Sequence, residues 1–120
     1  MNIEEIRNYC LSKKGVSEDF PFDEETLVFK VQGKIFLLTN INNIEISVNL
    51  KCEPELAVEL RERYESVQPG YHMNKKMWNT VKYNGEFSDK EFYNMIDHSY
   101  NEVVKGLTKK LRDALMEIPS

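Results

Sequence analysis

The stretch from Thr26 to Asn40, TLVFKVQGKIFLLTN, decides the fold. Its two halves are rich in β-branched and aromatic residues, which favour extended backbone. Gln32-Gly33 between the two halves is typical of a tight turn. We therefore expect a β-hairpin whose strands cover residues 26–31 and 34–40.

A third strand is expected directly after this hairpin. Apolar residues alternate with polar ones over residues 44–51, which is the period of a strand with one face on a core and the other in water. A short fourth strand is predicted from Thr80 to Tyr83, ahead of the turn dipeptide Asn84-Gly85. Strands that follow one another through short turns predict an antiparallel sheet.

Helical patterns flank these strands in the sequence. Asn2 begins the first helix in a pattern typical of a capping box, and Gly15 ends it. Pro54 suits the first turn of a second helix. Ser88 begins a long third helix, which Gly106 interrupts before a final helical segment. The order α-β-β-β-α-β-α predicts an α+β fold, a two-layer α/β sandwich in which the N- and C-terminal helices pack on the sheet.

Composition is typical of one globular domain, expected over residues 1–120. The chain is 41% hydrophobic and 30% charged, and its length is enough to bury a core without metals or disulfides. No apolar run is long enough to cross a membrane, and the N-terminus lacks the pattern of a signal peptide, so a cytoplasmic protein is expected. Cys10 and Cys52 belong to no CxxC pair, which predicts reduced, buried thiols and no metal site or cofactor.

Charge is distributed unevenly along the chain. The net charge of -4 argues against a domain that coats nucleic acid through bulk electrostatics. Residues Ser66 to Gly85 include three lysines and no acidic residue, whereas the other 100 residues include 13 basic and 20 acidic ones. The only tryptophan and one of the two histidines also lie in this stretch. We refer to Ser66 to Gly85 as the basic segment and expect the functional site there.

The basic segment contains residue types that bind phosphates and bases. Lysines neutralise phosphates, asparagines contact base edges, and exposed aromatic rings stack on bases or sugars. Trp78 could equally fill the core beside a strand, and Asn74 could cap a turn. The candidate binding residues are His72, Asn74, Lys75, Lys76, Trp78 and Lys82. His72 has no carboxylate or nucleophile near it in sequence, so we expect no catalytic residue and no enzyme.

The chain resembles the MmcQ/YjbR family. The segments that carry the family signature are Pro69 to Lys76, Trp78 to Val81 and Asp97 to Tyr100. Other segments match as well, in order: Phe20 to Phe22, Phe29 to Val31, Gly33 to Phe36 and Leu50 to Glu55. The resemblance implies a CyaY-like, frataxin-related fold with a double-wing arrangement, and a role in DNA binding. Met77 stands where the family commonly has a histidine, so no function of a histidine pair is expected. The site residues carried over from the family are His72, Asn74, Lys75 and Trp78. Iron is not carried over, because the first helix offers only Glu4 and Glu5 as acids.

Two functions remain open from the sequence. The leading prediction is a DNA-binding or regulatory protein that uses residues 70–83, with weak, salt-dependent affinity. With three lysines, log affinity should fall with log salt at a slope no steeper than about -3. The alternative is a non-catalytic module that binds a small anionic ligand or a protein partner. A convex basic face would favour nucleic acid, and a concave site around His72 and Trp78 would favour a small ligand. The oligomeric state is left open.

Overall fold

The computed structural model describes residues 1–70 and 73–119. Four helices and six strands lie within these residues, so the predicted α+β class is confirmed. The elements, in chain order, are α1 (Ile3–Leu11), β1 (Val16–Asp19), β2 (Thr26–Val31), β3 (Lys34–Asn40), β4 (Ser47–Lys51), α2 (Pro54–Arg63), β5 (Val67–Pro69), β6 (Trp78–Lys82), α3 (Asp89–Lys105) and α4 (Lys109–Met116).

All six strands belong to one antiparallel sheet, in the order β1-β2-β3-β4-β6-β5. The predicted hairpin is formed by β2 and β3, and Gln32 and Gly33 in its turn both have positive φ, at 50° and 81°. The pairing register shifts between Phe29 and Lys30. This β-bulge lets the consecutive residues Phe36 and Leu37 both be fully buried in the same core.

The helices cover one face of the sheet. Ile6 of α1 and both Phe92 and Ile96 of α3 are buried against strand residues such as Phe29 and Phe36. The opposite face carries a smaller cluster of Val28, Leu38 and Trp78, partly covered by Ile35, Met73 and Met77 and by no helical side chain among the described residues. We call this side of the sheet the open face. The predicted two-layer arrangement is therefore confirmed.

Two additional strands and the starts of two predicted strands differ from the sequence-based expectation. β1 and β5 were not predicted, because both are short edge strands that pair on one side only. β4 begins at Ser47, later than the apolar alternation from residue 44 predicts. Ile44 lies outside the strand and is fully exposed. β6 begins at Trp78 instead of Thr80, because Trp78 already pairs with Lys51 of β4.

Candidate functional site

The basic segment is anchored to α2 by Arg61. Its Nε donates to Oδ1 of Asn79 at 2.6 Å, and its Nη2 donates to the carbonyl oxygen of Lys75 and, at 3.3 Å, to that of Trp78. Asn79 is itself buried, and its amide nitrogen donates to the carbonyl oxygen of Ala57 at 3.4 Å. One guanidinium group therefore fixes both the start of β6 and the turn before it.

A compact turn carries the predicted lysines Lys75 and Lys76. The Lys76 N–H donates to Oδ1 of Asn74 at 3.0 Å, and the Met77 N–H donates to the Asn74 carbonyl oxygen at 3.1 Å. The interpretation of Asn74 as a turn cap is confirmed by these bonds. Lys75 and Lys76 are both exposed, so a turn of fixed backbone presents two cationic side chains to solvent.

Trp78 is a core residue of the open face. Its side chain is only 7% exposed, so the indole is not available to stack on a base, and the core interpretation is confirmed. Its apolar neighbours are Val28, Leu38, Met73 and Met77. Gly70 passes close behind it, since a Cβ at Gly70 would lie 3.0 Å from the Trp78 Cβ and 3.1 Å from its carbonyl group.

The remaining predicted residues are His72 and Lys82. His72 lies outside the described residues, so its place in the site stays a prediction. Lys82 is exposed at the end of β6, opposite Ser47 of β4. Neither Lys76 nor Lys82 forms a salt bridge with any residue in 1–70 or 73–119.

The half of the open face formed by β4, β6 and β5 shows lysines and no acidic residue. Asn49 pairs with Thr80 across the two strands, and the Thr80 hydroxyl donates to Oδ1 of Asn49 at 2.6 Å. By alternation, Lys51 lies on the same face of β4 as Asn49, and Lys82 on the same face of β6 as Thr80. Since Lys82 pairs with Ser47, the two lysines are separated by about 13 Å along the strands. A neutral, hydrogen-bonding centre thus lies between two cations.

A cavity of about 670 Å³ opens beside this half of the face. Most of its lining side chains are hydroxyls and amides, and none of its described lining residues is a lysine, arginine or histidine. Among the described lining residues, Asp23 is the one with an acidic side chain. The carboxylate of Asp23 accepts from the N–H groups of Thr26 at 2.6 Å and Glu25 at 2.8 Å, and these bonds lower its pKa. The sequence does not indicate this cavity, because its lining comes from three loops and four strands that meet only in the fold.

A second, more apolar cavity of about 200 Å³ lies between α2 and α3. Leu56 and Leu60 of α2 and Met95 of α3 line it, together with Asn79 and His98. Leu56 and Leu60 form an apolar stripe on α2, and they are only half-buried because they border this space. Periodicity indicates which face of a helix is apolar, and it does not fix how closely two helices approach.

The Asp97 to Tyr100 segment, the last of the family-like segments, connects α3 to α1. Oδ1 of Asp97 accepts from the Tyr9 hydroxyl at 2.6 Å and from Nζ of Lys13 at 2.5 Å. The Tyr100 hydroxyl donates to the carbonyl oxygen of Lys14 at 2.7 Å. Burial and the bond to Asp97 raise the pKa of Tyr9. These contacts assign Asp97 and Tyr100 to helix packing.

The same segment also connects α3 to the sheet. Ser99 is fully buried, and its hydroxyl donates to the Phe36 carbonyl oxygen at 2.5 Å and accepts from the Lys51 N–H at 2.8 Å. Nε2 of His98 accepts from the Glu53 N–H at 3.1 Å. Two polar side chains on α3 therefore satisfy backbone groups of β3, β4 and the start of α2.

Cys10 and Cys52 are free and buried, as expected. Burial raises the pKa of each thiol to about 12. Within residues 1–70 and 73–119, no group of three or more His, Cys, Asp and Glu side chains is arranged to hold a metal ion. In that same part of the chain, no helix combines the length and apolarity needed to cross a membrane.

Two solved structures with this fold come from bacteria. A Deinococcus radiodurans protein with a DUF419 domain is 37% identical and superposes with a TM-score of 0.90 over 98% of this chain and 89% of that one. A Pseudomonas syringae protein is 29% identical, with a TM-score of 0.71 over 85% of this chain and 98% of that one. The α+β architecture described above is therefore shared with solved structures.

Sequence relatives are bacterial as well, and their descriptions assign no activity. The uncharacterised protein YjbR of Escherichia coli K12 is 32% identical over 118 residues, which is 98% of this chain and 100% of the relative. The uncharacterised protein YbdF of Escherichia coli O157:H7 is 41% identical over 91 residues, which is 76% of this chain and 75% of the relative. The YjbR family model matches residues 11–102. The family model covers most of the chain, and the YjbR relative from Escherichia coli K12 is 32% identical along 98% of it. The chain therefore belongs to the YjbR family.

Proposed function

We propose that this protein binds DNA, weakly and in a salt-dependent way, through the half of the open face formed by β4, β6 and β5. The observation that carries the proposal is the charge pattern of that surface. Lys51 and Lys82 lie on these strands, Lys75 and Lys76 lie on the turn that leads into β6, and the three strands contribute no acidic residue. Lysines grouped in this way contact phosphates, which supply most of the affinity of non-specific DNA binding.

Because the overall charge is -4, the protein should bind DNA in one orientation only. The acidic residues elsewhere on the molecule repel phosphates, so DNA should approach only where acids are absent. Since three or four lysines can contact phosphates, log affinity should fall with log salt at a slope of about -3 for a duplex. The anchoring of the turn by Arg61 supports the proposal, because a fixed backbone lowers the entropy lost on binding.

The small-anion alternative receives less support from the geometry. The cavity beside the lysines is concave, but its described lining includes one carboxylate and no basic side chain. A small anion would be repelled from such a lining, whereas a phosphate chain lying across the lysines outside it would not.

The test is fluorescence anisotropy with a labelled 20-nucleotide DNA, single-stranded and duplex, over a series of salt concentrations. Lys76→Ala with Lys82→Ala should weaken binding and reduce the magnitude of the salt slope by about 2, one for each lost phosphate contact. Lys109→Ala with Lys110→Ala is the matched control, since it removes the same charge from exposed positions of α4 and should change the slope little. No binding of either DNA form at low salt, or equal effects of the two double variants, would reject the proposal.

A further inference from the structure

The cavity of about 670 Å³ on the open face has free hydrogen-bonding groups. Oδ1 of Asn49 is occupied by the Thr80 hydroxyl, and the Asn49 amide nitrogen has no hydrogen-bond partner among the described residues. Oδ1 of Asn40 accepts from the Asn42 N–H at 2.8 Å, and its amide nitrogen is likewise without a partner in that part of the chain. Two amide donors with fixed orientation therefore line the cavity together with the Ser47 hydroxyl.

An exposed aromatic ring borders the same cavity. Phe22 lines it and is 65% exposed, although exposing the apolar surface of a phenylalanine ring to water is unfavourable. Leu38 and Met73 provide apolar surface within the cavity. An aromatic ring, apolar surface and neutral amide groups together are the combination with which proteins bind a nucleobase, by stacking on its face and donating to its edge.

The charges around the cavity indicate where a ligand would place its neutral part and where its anionic part. Asp23 keeps phosphates out of the cavity, since its lowered pKa leaves the carboxylate ionised at neutral pH. Lys82 lies across from Ser47, which lines the cavity, and so marks its β6 side. A ligand that fits both features places a base inside the cavity and a phosphate on the lysine side.

We infer that the open face binds single-stranded nucleic acid, with one unpaired base seated in this cavity against Phe22. The inference rests on the proposed function, because the lysines that hold the phosphates are the same. A paired base is stacked on both faces and its Watson–Crick edge is occupied, so a duplex would have to be opened before a base could enter the cavity. Single strands should therefore bind more tightly than duplexes at equal salt.

The experiment compares binding of a labelled single strand and of the duplex of the same sequence by fluorescence anisotropy. Phe22→Ala should weaken single-strand binding by about 5- to 150-fold, the effect of removing one base–aromatic stack. It should leave duplex binding unchanged. Phe20→Ala is the matched control, because Phe20 lies in the same loop, is 43% exposed and does not line the cavity. Asn49→Ala should also weaken binding of single strands more than binding of duplexes.

The possible outcomes separate this inference from the proposed function. Equal affinity for both DNA forms, or single-strand binding by Phe22→Ala at the level of the parent, would overturn the inference and leave DNA binding in place. Binding of neither form at low salt would overturn both. Thymidine monophosphate is a further probe: if it stabilises the protein in a thermal-shift assay while single strands do not bind, the occupant is a free nucleotide and the inference fails.

Discussion

Gly70 lies at a point where the backbone has no room for a side chain. Its Cβ would meet the backbone of Trp78 at 3.1 Å, and backbone atoms in a paired strand cannot move away as the end of a flexible side chain can. Gly70→Ala should therefore lower the free energy of unfolding by about 1–3 kcal/mol, as overpacking usually does. Chemical denaturation measures this change.

Gly106→Ala is the control for this substitution. Gly106 has helical φ, and a Cβ there would have no neighbour closer than 3.6 Å. Alanine at this position should leave stability unchanged or raise it by up to about 1 kcal/mol, because it restricts the unfolded chain. Equal destabilisation by both substitutions would contradict the importance of the close contact between Gly70 and Trp78.

Arg61 should contribute far more to stability than its neighbour Arg63 on the same helix. Arg61→Ala removes the donors to the buried Asn79 side chain and to two carbonyl groups, and each buried group left unsatisfied costs about 1–3 kcal/mol. Arg63→Ala removes an ion pair with Glu59 in which both side chains are more than half exposed, and a contact over the Tyr64 ring at 5.9 Å. At exposed positions each of these is worth no more than about 1 kcal/mol. Hydrogen exchange should also show lower protection of the Met77 amide in Arg61→Ala alone.

At the scale of elements, α3 is the helix that joins the layers, and Ser99 is its central contact. Ser99→Ala should lower the free energy of unfolding by about 2 kcal/mol or more, because the Phe36 carbonyl and the Lys51 N–H both lose a buried partner. Ser12→Ala serves as the comparison, since the Ser12 hydroxyl bonds the Tyr9 carbonyl at an exposed helix end. Urea denaturation that gave the same small loss for both would contradict the bridging role.

The predictability of each element depends on how much of it is buried. The β2–β3 hairpin was predicted correctly because both strands are rich in β-branched and aromatic residues and flank a turn dipeptide. The helix α3 was predicted correctly because its apolar residues follow the helical period. β1 was missed because Val16 is its only apolar residue and the other three are exposed. β5 was missed because it has only three residues and ends in Pro69. An edge strand pairs on one side only and buries few residues, so its sequence shows little of the apolar pattern that predicts a strand.

The candidate site shows a similar division. Charge counting locates the basic segment, because an absence of acids over 20 residues is visible without a fold. It does not separate Trp78, which is buried, from Phe22, which is exposed 56 positions earlier. Nor does it bring Asn49 together with Thr80, since that pair depends on the register between β4 and β6. Sites assembled from several strands become visible only when the register is known.

At the scale of the whole molecule, two buried cysteine thiols make the free energy of unfolding depend on pH. The thiols of Cys10 and Cys52 have a pKa of about 12 in the folded protein, against an ordinary value of 9.0. Below pH 9 both states keep the thiol protons, so the contribution of these groups to stability is fully present. Between about pH 9 and pH 12 the unfolded chain releases protons that the folded protein retains. The free energy of unfolding should therefore fall as pH rises through this window.

Alkaline stability measurements test this coupling. In the parent protein, each thiol should add a slope of up to about -1.4 kcal/mol per pH unit to the free energy of unfolding. Cys10→Ala with Cys52→Ala should flatten the curve between pH 8.5 and 10, before tyrosines begin to titrate strongly in the unfolded chain. The comparison uses slopes, so any stability lost through the smaller side chains cancels. Above pH 10 a slope should remain in the double variant, because burial also raises the pKa of Tyr9. Identical slopes for both proteins between pH 8.5 and 10 would show that the buried thiols do not couple folding to pH.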